Sequence, residues 1–217
     1  AKTPHPVHFA NHSEVARWMR VGHVDDVELY SGRSRIAFYV GQAGLKAGEG
    51  FGIRKATYER YWHLHLKDHR ACCAWLLVFG LKPKAIHCGT PCTDYCSIGQ
   101  GQASPESEAN VQFTEDVYEH QQADGWGASV ENPKASKLWK KDEWIAKFGT
   151  KQDPVAPWRF YWIDGCTLQS IYVGLDDAGR PTKKPQVWMS NFNLSLLEHR
   201  CGSNPLALVP CTHIHRN

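Results

Sequence analysis

Long apolar runs are missing from this chain of 217 residues. The longest, Ala71 to Gly80, is about half of the ~18 residues needed to span a bilayer, so no membrane partner is expected. The first residues, Ala1-Lys2-Thr3-Pro4-His5, carry no apolar stretch, so no signal peptide is expected. A dominant charge is also missing. Lys and Arg number 25 against 22 Asp and Glu, which leaves +3. That is too little to argue for nucleic acid on charge alone. Phosphate-loop and nucleophile-elbow signatures are absent, which removes two large enzyme classes. Cysteine is sparse for a disulfide scaffold, at eight residues, and Cys72 and Cys73 are adjacent. The expectation is a reducing, intracellular chain in which some thiols carry chemistry or metal.

What is present is an alternation of strand and helix patterns. Residues 1–22 read as an N-terminal arm, with a short helix from Ser13 to Met19 capped by Ser13. Strands are expected at Val24–Tyr30, Gly48–Ile53, Pro83–Cys88 and Gly127–Val130. Helices are expected at Ser34–Ala43, Ala56–Leu66, His69–Phe79 and Ala109–Asp124, and Gly99–Glu108 reads as a loop. Later strands are expected at Phe160–Ile163, Ser170–Val173 and Val187–Ser190. The order implies one α/β doubly wound domain over residues 23–217, with a mostly parallel sheet and helices on both faces. Ligands of such sheets bind at the C-terminal strand ends. Tyr30-Ser31-Gly32, Thr90-Pro91-Cys92 and Glu131-Asn132-Pro133 all fall there.

Cys92 is the strongest chemical candidate. A thiol on a loop after a buried strand can be a small hydrophobe in a turn. Here an acid, Glu131, follows 39 residues on, at a matching strand end. A thiolate nucleophile needs a second group to manage the charge it creates, and Glu131 can supply it. The nucleophile reading expects a depressed Cys92 pKa, helped by backbone N–H groups of the following turn. A cysteine hydrolase would need a His beside Cys92 and would leave the Glu-Asn-Pro run unexplained.

Three segments carry a resemblance. Gly89-Thr90-Pro91-Cys92-Thr93-Asp94-Tyr95-Cys96-Ser97 is similar to the Pro-Cys-Gln-x-Phe-Ser loop of C5-cytosine methyltransferases. Val130-Glu131-Asn132-Pro133 resembles their Glu-Asn-Val motif. Val27-Glu28-Leu29-Tyr30-Ser31-Gly32, with Ala43-Gly44-Leu45, resembles their first motif. Order and spacing agree over residues 24–140. The resemblance implies a Rossmann-like methyltransferase fold and S-adenosylmethionine as cofactor. It implies Cys92, Glu131 and Asn132 as catalytic residues, and a cofactor site at Glu28, Tyr30, Ser31, Gly32, Ile53 and Pro91. The implied partner is nucleic acid, DNA or RNA, whose target base must be flipped out. The sequence departs from the family at Thr93, where it has Gln, and at Gly52-Ile53-Arg54, where it has an acid for the cofactor ribose. Few residues follow Glu131, so target recognition is expected from loops, a protein partner or a fused chain. The alternative is a catalytically inactive relative that binds nucleic acid or serves as a structural subunit. A late Lys184-Pro185 and Asn191 element also fits the resemblance.

Two metal readings compete. Cys211, His213 and His215 share one face of a strand by its period of two, and Cys201 would close a tetrahedral zinc site. His65 and His69, with His63, Cys72 and Cys73 nearby, would lie one turn apart on a helix. Lys134, Lys137, Lys140, Lys141 and Lys147 interleave with Trp139 and Trp144. That pattern suits phosphate contact and base stacking, or an amphipathic helix with its tryptophans in the core.

Overall fold

A computed structural model describes residues 22–32, 35–53, 62–96, 103–164 and 185–198. The expected arm, most of the 56–66 segment, the 170–173 strand and the four expected zinc ligands lie outside the described residues.

The strands are β1 (Asp26–Leu29), β2 (Ala47–Phe51), β3 (Ala85–Cys88), β4 (Gly127–Pro133), β5 (Arg159–Asp164) and β6 (Pro185–Ser190). The helices are α1 (Arg35–Gln42), α2 (Lys67–Trp75), α3 (Pro105–Ala123) and α4 (Asp142–Phe148). The strands form one six-stranded sheet in the order β2-β1-β3-β4-β6-β5. β1 to β4 are parallel, and β6 runs antiparallel to both β4 and β5. The fold is therefore α/β with a mostly parallel, mixed sheet, as the alternating pattern implied.

The period of two sorts β1 and its neighbours into two faces. Val27, Leu29, Ile86, Cys88, Ala128 and Val130 point to one face and join the main core with Cys73, Leu76, Val111, Val117 and Tyr118 from the α2 and α3 side. The other face is polar in its first strands. Glu28, His87, Ser129 and Ser190 occupy one cross-strand row, and all four are buried. Trp188, Tyr161 and Ile163 form a smaller apolar cluster on that side, with Ile36 of α1 packed on it.

Several boundaries differ from expectation for local reasons. α3 begins at Pro105 because Ser104 caps it, accepting from the Ser107 amide at 3.2 Å, and Pro is tolerated at a first helical position. The polar 99–108 stretch is thus partly helix. α2 starts at Lys67 and passes into a π-helical segment, Leu76–Leu81, which ends on Lys82 with φ 41°. His65 therefore precedes the helix and does not stand one helical turn from His69. β4 runs three residues further than expected, because Asn132 and Pro133 pair with Val187 and Gln186 of β6.

Candidate functional site

The C-terminal ends of β1 and β3 are tied together. The Gly89 amide donates to the Leu29 carbonyl at 3.0 Å. Tyr30, the next residue of the first loop, holds φ 54°, a region few side chains adopt and one often found where a loop is over-determined by its surroundings. The Tyr30 hydroxyl donates to the Asn110 carbonyl of α3 at 3.0 Å.

A cleft of about 430 Å³ opens at this junction. Four of the six expected cofactor residues line it: Tyr30, Gly32, Ile53 and Pro91. Its volume lies in the range of small-molecule sites. Gly52 also lines it, and a Cβ there would stand 2.9 Å from Ser31 Oγ and 3.1 Å from the Ser31 amide. Glycine at this position lets the two loops that frame the cleft approach each other this closely. Trp62, His65 and Asn110 complete the wall, and sequence reasoning had not assigned them to it. Asn110 had one legible signal: a short amide in mid-helix, next to Val111 on a buried face. Its Oδ1 is buried without a partner.

The other two expected cofactor residues do something else. Ser31 is buried beside Gly52 and does not line the cleft. Glu28 is buried on the polar face, where Oε2 accepts from the amides of Ile36 at 3.1 Å and Ala37 at 3.4 Å. Its carboxylate serves the N-terminus of α1, whose free N–H groups favour an anion. Burial pushes the Glu28 pKa up to about 7, against the pull of those amides.

The Cys92 loop is fixed from three sides. The Asn132 amide donates to the Thr90 carbonyl at 2.9 Å. Asp94 Oδ2 accepts from Ser104 N, Ser104 Oγ and Ser107 Oγ, at 2.9, 2.6 and 2.7 Å. These bonds hold the Asp94 carboxyl down at about 2. The Tyr95 hydroxyl donates to Glu108 at 2.9 Å. Asn132 is thus a buried positioning residue behind the Pro-Cys loop.

Cys92 follows β3 and Glu131 lies within β4, its parallel neighbour, and the Glu131 charge acts on the Cys92 thiol. Glu131 is half-buried and accepts from Gln186 Nε2 of β6. The expected depressed thiol is corrected, however. The Cys92 pKa is pushed up to about 11 by partial burial, then by contact with Cys96 and by the Glu131 charge. The backbone N–H groups of Tyr95 and Cys96 donate to the Cys92 carbonyl, at 3.0 and 2.9 Å, and not to its sulfur. Cys88 is fully buried in β3 and burial pushes its thiol up to about 12, which leaves it an inert core residue.

The basic stretch is largely consumed by structure. Lys141 pairs with Glu108, and Lys147 pairs with Glu115 and Glu119 at 2.8 Å each. Trp144 is buried, and Trp139 is half-buried and donates to the Pro133 carbonyl at 2.9 Å. The tryptophans are core, so a stacking platform is not what they form. Lys134 sits over the Trp162 ring at 4.4 Å. The Asn191 side chain closes the β4 edge, accepting from the Ala128 amide and donating to the Trp126 carbonyl. His63, His65 and His69 pack edge to face, and the His69 ring nitrogen accepts from the His63 amide. Among the described residues no group of three or more His, Cys, Asp and Glu is arranged to hold a metal ion, and no helix is long and apolar enough to cross a membrane.

Compared with protein-family models and with curated proteins, the chain matches none.

Proposed function

We propose that this chain is an S-adenosylmethionine-dependent methyltransferase acting on C5 of cytosine in nucleic acid, built on a Rossmann-like methyltransferase fold. The observation that carries the reading is the placement of Cys92 just after β3 and of Glu131 on the paired strand β4, where its charge acts on the thiol, together with a cleft walled by Tyr30, Gly32, Gly52 and Pro91. The cofactor, when bound, supplies an electrophilic methyl group. Tyr30, Ile53, Pro91 and Asn110 would hold it.

Cys92 would pass its proton to Glu131 as its sulfur bonds to C6 of the flipped base, and Glu131 would place that proton at N3 while the C5–C6 π electrons move into the C4–C5 bond. C5 would take the methyl group of the bound cofactor. Solvent water would take the C5 proton as the S–C6 bond breaks, the C5–C6 double bond re-forms and the N3 proton returns through Glu131 to the sulfur. Burial holds the proton on the free thiol, so its transfer to Glu131 would accompany bond formation. Target selection is supplied by a protein partner or further chain.

A second reading is a nucleic-acid-binding subunit without chemistry. The protonated Cys92 thiol and the apolar Ile53 in the cleft favour it. Titration calorimetry with S-adenosylhomocysteine, followed by mass spectrometry with 5-fluorocytosine oligonucleotides of DNA and of RNA, separates the two. The enzyme binds the cofactor product and forms a covalent adduct at Cys92 with one nucleic acid. Cofactor binding without an adduct on either oligonucleotide removes the methyltransferase reading.

A further inference from the structure

We propose that Cys92 and Cys96 are an oxidisable dithiol, and that their disulfide is a reversible off-state of the candidate nucleophile. The two residues lie one turn apart, with the Cys96 amide donating to the Cys92 carbonyl at 2.9 Å and a 3-10 turn, Thr93–Tyr95, between them. The backbone bond from Cys96 to Cys92 closes this turn on itself and draws the two residues together, as a disulfide needs. The Cys96 thiol acts on the Cys92 thiol, and both side chains are half-buried, so an oxidant can reach them. The segment between them is held at two of its three positions, Asp94 by Ser104 and Ser107, and Tyr95 by Glu108. The sulfurs therefore stay near each other and do not depend on loop fluctuation.

The other described cysteines are placed differently. Cys73 and Cys88 are buried in the core. Cys72 is half-buried, but it lies on α2 next to Cys73, where vicinal geometry disfavours closure. A disulfide oxidant of the glutathione class would complete the step. One thiolate attacks the oxidant's sulfur and releases one thiol. The second protein thiol then displaces the bound half and releases another. The protein loses two electrons and two protons, and the oxidant gains them as two small thiols. One protein thiol gives up its proton to solvent before it attacks, and closure requires no cofactor and no nucleic acid. The disulfide thus stands apart from the methyltransferase reading, and only its consequence for catalysis rests on it.

The full chain is equilibrated with reduced and oxidised glutathione at a series of ratios, then alkylated, digested and analysed by mass spectrometry. The expected result is a peptide linked at Cys92–Cys96, formed at less oxidising ratios than any other modification and reversed by dithiothreitol. In Cys96→Ser, Cys92 should instead end as a mixed disulfide with glutathione. The oxidised wild-type chain should lose at least ten-fold in adduct formation with 5-fluorocytosine DNA or RNA, and recover it on reduction. If Cys92 and Cys96 both remain alkylatable while Cys72 oxidises, or if Cys92 links to a different cysteine, the proposal falls. If the linked peptide forms but the reduced chain makes no adduct, the dithiol stands and the methyltransferase reading fails.

Discussion

Asp26 offers a direct test of the polar sheet face. Its side chain is 8% exposed, and Oδ2 has no hydrogen-bond partner. Burial pushes its pKa from 3.8 up to about 7. The folded pKa lies above the unfolded one, so the folded state favours the neutral acid. The stability this gives is complete below about pH 4 and is lost as pH rises to 7. A gap of about three pH units, at about 1.4 kcal/mol each, sets a ceiling near 4 kcal/mol. Asp26→Asn removes this titration. Relative to wild type, the variant should gain about 2–4 kcal/mol between pH 4 and pH 8. The absolute offset also contains the cost of seating an amide, about 1–3 kcal/mol if one of its hydrogens goes unpaired. The change with pH does not contain that cost. Glu28, two residues on, shares the face and is also held near 7, in part by the Asp26 charge. Removing Asp26 therefore relaxes Glu28 slightly and adds to the gain at high pH. His87 works in the opposite sense. Burial pushes its pKa down to about 3, so its contribution is present above pH 6.5 and is lost on acidification. That term is common to both proteins and cancels. Urea unfolding followed by tryptophan fluorescence at pH 4, 6 and 8 reads the difference. A gap between Asp26→Asn and wild type that is the same at all three pH values would refute the argument.

Two further outcomes follow from the cleft and the loop. Gly52→Val drives a side chain against Ser31 and the Gly32 amide, so the two loops that frame the cleft must part, thermal stability should fall and S-adenosylhomocysteine affinity should fall at least ten-fold; undiminished binding by the folded variant would put the ligand elsewhere. Asn132→Ala leaves the buried Thr90 carbonyl without its donor, at a cost of about 1–3 kcal/mol, and should speed alkylation of Cys92 by iodoacetamide; an unchanged alkylation rate would show that the loop is held without it.

Much of the parallel half of the sheet was legible because it is locally encoded. Val27 and Leu29 alternate with Glu28, and α1 is closed by Gly44 at φ 77°, so these elements fall within a few residues of expectation. What was not legible depended on distant chain. The extension of β4 through Pro133 comes from pairing with a strand that starts at Pro185. The alternation Asp26-Val27-Glu28-Leu29 reads as one face in water, yet both faces are covered, and no local pattern reports that. The start of α3 was missed for another reason. Ser104-Pro105 is a helix start, but its polar neighbours weighed toward a loop.

The same division runs through the candidate site. The placement of the two candidate segments was readable, because the Pro-Cys loop follows β3, the Glu-Asn run lies in β4, and these strands pair in parallel. The state of the thiol was not readable, because it is set by three sources at different sequence distances. Cys96 is four residues away and was visible, but its effect depends on a turn held by α3. Glu131 was visible as a partner, yet a carboxylate beside a thiol raises its pKa before it can assist any chemistry. Partial burial is a property of the whole fold. The Cys92 thiol is held protonated chiefly by that burial, with Cys96 and then the Glu131 charge adding to it.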